Sequence, residues 1–196
     1  MGRVKKILSR CRVWGGNLLN VLITIGTMTD LKFTRLFEAI DNLCSEGVLD
    51  GEKVTAQIGA ETYTPKYFSS FEMIEDQSFK KMIEESDLII THAGTGTVTT
   101  CLKKGKKVII FPRMKKYQEH YDDHQLELSE VFSRKGYALK AYNEIELKNC
   151  IQNIADFTPE PFVSNNQQMN QLVIRFIEEA KENKKKRNFF SFQKSI

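Results

Sequence analysis

Asp87 to Thr97 reads DLIITHAGTGT. Leu88, Ile89 and Ile90 make an apolar run too short for a helix and bounded by polar residues and glycine, which predicts a buried strand. His92 to Thr97 then carries two glycines and two threonines. Val98, Cys101 and Leu102 follow at helical spacing and Gly105 ends the pattern, which predicts a helix. The unit is therefore strand, tight turn, helix.

The same unit recurs on both sides. Asn20 to Ile25 (NVLITI) is a strand ending at Gly26-Thr27. Phe33, Leu36, Phe37, Ile40 and Leu43 mark the next helix, with Thr29 or Asp30 as its cap. Lys53 to Ile58 (KVTAQI) and Phe68 to Ile74 read as strands, and Ser78 to Ser86 as a short helix. Lys107 to Phe111 (KVIIF) is a strand stopped by Pro112. A helix over Tyr121 to Arg134 closes at Gly136, before a strand over Tyr137 to Leu139 and a helix over Asn143 to Ala155. A long final helix is predicted over Asn165 to Glu182, with Leu172, Val173, Phe176 and Ile177 apolar. Strands alternating with helices imply an α/β fold: a Rossmann-like, doubly wound parallel sheet covered on both faces.

The 196 residues are 41% hydrophobic and 28% charged, which fits one globular domain and excludes a disordered chain or a disulfide mini-protein. No apolar stretch reaches the roughly 20 residues of a membrane-spanning helix. Cys11, Cys44, Cys101 and Cys150 form no CxxC pair, so they read as reduced thiols of a cytosolic protein. The net charge of +4 is unevenly spread. Residues 1–12 and 181–196 carry +5 each, leaving the middle at −6. A nucleic-acid binder would place its basic patch on the folded domain, so nucleic acid is not expected as a partner. The basic ends suit either plain solvation or attraction to an anionic leaflet. Three segments follow: a basic extension over 1–19, one domain over 20–182, and a basic tail over 183–196.

In an open α/β sheet, ligands bind beyond the carboxyl ends of the strands. Gly26-Thr27 and His92 to Thr97 both fall there. Gly94 and Gly96 leave the backbone open to a ligand, and the N–H groups and dipole of a helix start favour an anion such as phosphate. Thr95 and Thr97 add hydroxyls. A plain strand-to-helix turn is the competing reading. The pattern is neither a Walker A loop nor the GxGxxG dinucleotide fingerprint. The second unusual stretch runs from Pro112 to Gln125. Arg113, Lys115 and Lys116 could neutralise phosphate, and Asp123 and Gln125 could bond sugar hydroxyls; a solvated loop is the alternative. His120 and His124, with Asp123, could bind a metal. No third ligand is assured and there is no HExxH or DxD, so no metal cofactor is expected.

HAGTGT, a helix ending at Gly105, and FPR…EHYDDHQLEL together resemble the C-terminal, donor-binding half of family 28 glycosyltransferases. The likeness covers about 20–180. It is strongest to stand-alone catalytic subunits of two-part UDP-sugar transferases, in eukaryotic N-glycan synthesis and in bacterial capsule and exopolysaccharide synthesis. The resemblance implies one half of a GT-B glycosyltransferase with a UDP-sugar donor. It implies an inverting, metal-independent hexosyl transfer to a polyprenyl-diphosphate-linked glycan, beside a membrane-anchored acceptor-binding subunit at the cytoplasmic face. Position by position, Gly26 and Thr27 match the opening turn. His92, Gly94, Thr95, Gly96 and Thr97 fall where the family holds diphosphate and nucleoside, and Asp123, His124 and Gln125 where it holds the donor sugar. Thr100 stands where many members have a ribose-binding glutamate. The catalytic base is expected on another polypeptide, with His120 as the candidate on this chain. A nucleotide- or phosphate-binding regulatory module without turnover is the second reading.

Overall fold

The structure is a computed structural model that describes residues 19–27, 31–59 and 63–162, all within a compact unit ending at Phe162. The basic extension before residue 19, the expected cap at Thr29 or Asp30, the final helix over Asn165 to Glu182 and the basic tail lie outside the described residues.

The strands are β1 (Val21–Thr24), β2 (Val54–Gln57), β3 (Ser69–Phe71), β4 (Leu88–Thr91), β5 (Lys107–Ile110) and β6 (Leu139–Lys140). The helices are α1 (Thr34–Ser45), α2 (Asp76–Glu85), α3 (Thr95–Lys103), α4 (His124–Arg134) and α5 (Glu144–Gln152). All strands are parallel, in the order β3-β2-β1-β4-β5-β6. β1 and β4 sit centrally, with Ile23 opposite Ala56 on one side and Ile90 on the other.

Both central strands are buried along their whole length, which is why their sequences are continuous apolar runs rather than alternating ones. Successive side chains still point to opposite faces. Val21, Ile23, Ile90 and Ile109 pack with Leu36, Phe37, Ile40 and Leu43 of α1 and with Leu147 and Ile151 of α5. Leu22, Ile89, Val108 and Ile110 pack with Ile83 of α2, Val98, Cys101 and Leu102 of α3, and Phe132 of α4. Two cores on one sheet make the doubly wound arrangement. No helix among the described residues is long and apolar enough to cross a membrane.

Several boundaries differ from expectation: β3 is only Ser69–Phe71, α2 begins at Asp76 rather than Ser78, α4 at His124 rather than Tyr121, and α5 ends at Gln152 rather than Ala155. α4 ends with Gly136 at φ +69, and the Tyr137 N–H closes the helix on the Phe132 carbonyl at 3.0 Å. The last strand therefore starts at Leu139, not Tyr137. α1 starts at Thr34 because Phe33 is fully buried and its carbonyl accepts the Leu36 N–H, so the first turn is anchored by packing rather than by a side-chain cap. Ile90 is completely buried at the sheet centre. Ile90→Ala should lower unfolding free energy by about 2–5 kcal/mol, as large-to-small core changes do; urea denaturation followed by far-UV circular dichroism measures it.

Candidate functional site

From β1 the chain winds outward to β2 and β3; from β4 it winds the opposite way to β5 and β6. In such sheets the loops leaving the two strands part at the carboxyl edge, the usual ligand position. Gly26-Thr27 leaves β1 and His92 to Thr97 leaves β4, as the sequence predicts. Beneath them the Thr91 hydroxyl donates to the Thr24 carbonyl at 2.9 Å, and the Thr24 hydroxyl donates to Gln57 Oε1 at 2.7 Å. Three neighbouring strand ends are thereby tied together.

The His92 ring lies against both glycines. A Cβ on Gly26 would stand 2.7 Å from His92 Cε1, and one on Gly94 only 2.3 Å from His92 Nε2. Gly26 also has φ +73, a conformation side chains disfavour. Gly94 must therefore stay small for the neighbouring imidazole as well. Gly96 differs: a Cβ there would meet nothing within 4 Å. Gly94 is the N-cap of α3, whose first intrahelical bond runs from the Val98 N–H to the Gly94 carbonyl at 3.0 Å. No side chain among the described residues caps this end, so the N–H groups of Thr95, Gly96 and Thr97 lie ahead of the helix ladder.

His92 is neutral at pH 7. Burial, and next the nearby Arg113 charge, push its pKa down to about 4; a hydrogen bond to the Thr24 backbone opposes this, and His120 and His124 add to it. Any positive potential at the turn therefore comes from peptide groups, not from an imidazolium.

The loop after β5 is held by an ion pair between a half-buried arginine and a buried glutamate. Arg35 of α1 donates from Nε to Glu119 Oε1 and from Nη2 to Glu119 Oε2, each at 2.8 Å. The same guanidinium donates to the carbonyls of Pro112 and Tyr142 at 2.9 Å and lies 4.3 Å from the Phe111 ring centroid. Glu119 Oε2 also accepts the Met114 N–H at 3.0 Å. Sequence reasoning missed both residues: Arg35 looks like any polar residue of an amphipathic helix, and Glu119 like part of a solvated loop.

Arg113 requires a correction. It is fully buried, donates from Nη1 to the carbonyls of Leu31 at 2.8 Å and Glu119 at 3.3 Å, and lies over the Phe33 ring. Its guanidinium braces the loop and is not placed to touch a phosphate. Gln125 is also buried, and its Oε1 accepts the Arg113 N–H at 3.0 Å. Asp123 is exposed, with Oδ1 accepting the Lys115 N–H at 3.0 Å. Lys115 and Lys116 are exposed on a short 3-10 turn. His120 and His124 pack with ring centroids 4.5 Å apart. The carboxylate beside them is Asp122, not the Asp123 expected from sequence.

Residues 20–187 match the family model of the glycosyltransferase family 28 C-terminal domain. The chain belongs to this family. The human UDP-N-acetylglucosamine transferase subunit ALG13 is 30% identical over 122 residues, covering 60% of this chain and 10% of the human protein. The subunit of the same name from Candida albicans is 34% identical over 96 residues, covering 49% of this chain and 30% of its own length. The chain thus spans a tenth and less than a third of these two relatives. The NMR solution structure of ALG13 superposes with a TM-score of 0.53 at 18% identity, over 79% of this chain and 94% of that one, a likeness of fold. The Rossmann-like sheet is that of one half of a GT-B glycosyltransferase.

Thr100 has a partner within its own helix. Its hydroxyl donates to the Gly96 carbonyl at 2.8 Å, one helical turn back. The proton is committed, so toward a ligand hydroxyl Thr100 can act only as an acceptor.

Two outcomes follow from this geometry. Arg35→Ala leaves Glu119 buried without its charge partner, and should cost about 3 kcal/mol or more; Arg35→Lys recovers little, because an ammonium cannot bond both carboxylate oxygens and two carbonyls. Urea denaturation measures both. For His92, the depressed pKa means that the unfolded chain binds the proton more tightly. Stability contributed by the neutral ring is complete above about pH 6.5 and falls as pH drops toward about 4. Thermal unfolding across this window should show a steeper decline in the parent than in His92→Gln.

Proposed function

We propose that this chain is the donor-binding catalytic subunit of an inverting hexosyltransferase that uses a UDP-sugar. The acceptor would be a polyprenyl-diphosphate-linked glycan presented by a membrane-anchored partner subunit at the cytoplasmic face. The observation that carries the reading is the uncapped start of α3 at the sheet's switch point, with open space over Gly96, in a chain of family 28. The relatives named above are transferase subunits, which supports a divided enzyme.

The reaction forms a bond from an acceptor hydroxyl oxygen to the anomeric carbon and breaks the bond from that carbon to the diphosphate. UDP leaves with the bonding pair, and the hydroxyl proton passes to a base. This chain's contribution lies at the leaving group. The N–H groups of Thr95, Gly96 and Thr97, their hydroxyls and the helix dipole meet the charge that develops on the diphosphate. Peptide donors of this kind make a metal at the diphosphate unnecessary. Gly26 and Thr27 border the other side of the switch point. Thr100 accepts a ribose hydroxyl. Asp123, His124 and Gln125 face the sugar. The base belongs to the partner polypeptide, which brings the acceptor. The basic extension and tail favour an anionic membrane surface.

Gly96→Val should weaken UDP binding by on the order of tenfold or more, about 1.4 kcal/mol or above, with the unfolding midpoint nearly unchanged. Isothermal titration gives the first quantity. Equal affinity in parent and variant would remove the diphosphate from α3. Transfer of labelled sugar only when the partner subunit is added separates an enzyme subunit from a module that binds nucleotide without turnover.

A further inference from the structure

The turn leading into α4 gathers one carboxylate and two imidazoles on alternate residues. One ligand atom each from His120, Asp122 and His124 lie within 4.8 Å of one another. Asp122 Oδ1 is 3.1 Å from His120 Nδ1 and also contacts His124 Nδ1. The two rings stand at 73°. The His120 side chain is only 9% exposed, whereas those of Asp122 and His124 are 64% and 46% exposed. The cluster therefore has one inner anchor and two outer arms, and it is open to solvent on one side.

We infer that His120, Asp122 and His124 form a binding site for a borderline divalent transition-metal ion, zinc first, with cobalt and nickel as competitors. Two imidazole nitrogens and one carboxylate oxygen are a three-ligand zinc set that leaves a position for water. Magnesium and calcium favour oxygen donors and are poorly served here. The arrangement places a negative carboxylate oxygen against two ring nitrogens, and a cation that parts Asp122 from His124 gains all three groups as ligands. The site shares His124 with the residues proposed to face the donor sugar, and its test reads metal binding rather than sugar transfer. It lies next to Glu119, so an occupied site would fasten the segment already held by Arg35.

The test uses the full chain, stripped with chelator and titrated with cobalt(II) chloride and then zinc chloride. One equivalent of cobalt should give visible d–d bands without the near-ultraviolet thiolate band that cysteine ligation would add. Zinc should displace it and raise the thermal midpoint. Asp122→Asn and His124→Ala change exposed side chains and should leave the fold intact. Each should weaken binding by more than the roughly 10–100-fold that loss of an outer-shell partner costs. Asp123→Asn should bind as the parent does. Unchanged affinity in Asp122→Asn and His124→Ala, a thiolate band, or no cobalt spectrum at millimolar metal would each overturn the site.

Discussion

The reversal of strand order between β1 and β4 is the constraint from which the site follows. Parallel strands need crossover helices, and right-handed crossovers cover one face in one direction of winding and the opposite face in the other. Where the direction changes, neighbouring loops part, and the strand ends cannot be roofed by the same connection. Here the parted loops are Gly26-Thr27 and His92 to Thr97. The strand ends under them are locked by the bonds from Thr91 to Thr24 and from Thr24 to Gln57. Backbone topology alone thus delivers the open start of α3 to the carboxyl edge, before any side chain is considered.

A second constraint acts across sequence. Arg35 and Glu119 are 84 residues apart, and their ion pair joins α1 to the loop after β5. Such a pair contributes little net stability compared with apolar packing, but Glu119 is buried, so losing Arg35 is expensive. That asymmetry suits a loop that must keep one shape. Arg113 works alongside it: its side chain runs inward over Phe33, and its backbone N–H is held by Gln125. The two arginines hold the loop from its inner side, leaving Asp122, Asp123 and His124 exposed on the outside.

The fold was largely legible because burial on both sheet faces leaves a record in short apolar runs such as Leu88 to Ile90. Gly136 marked the end of α4 for the same kind of reason, since its positive φ excludes most other residues. The strand after it shifted by two residues because the Tyr137 N–H is used for the helix cap, a detail that hydrophobic pattern cannot carry. The candidate site was legible in its location but not in the direction of its side chains. Arg113 follows a buried strand and precedes lysines, so its charge reads as surface charge; only the Leu31 and Glu119 carbonyls around it reveal an inward path. Arg35 leaves no local signal at all, because its partner is distant in sequence.

The two glycines of the β4–α3 turn show how one residue type can serve opposite ends. Gly94 is small so that the His92 ring can lie against the chain, while Gly96 is small with nothing in front of it. With His92 neutral through burial and the charge of Arg113, the turn has no titrating cation near pH 7 among these groups. Its positive potential resides in fixed peptide dipoles, which need no reorganisation as charge grows on a neighbouring group. An imidazolium there would have to be desolvated again at each approach of a ligand and would fade as pH rose. A neutral ring wedged between Gly26 and Gly94 instead fixes the spacing of the two loops, so the open backbone at Gly96 is held at a set distance from the β1 turn.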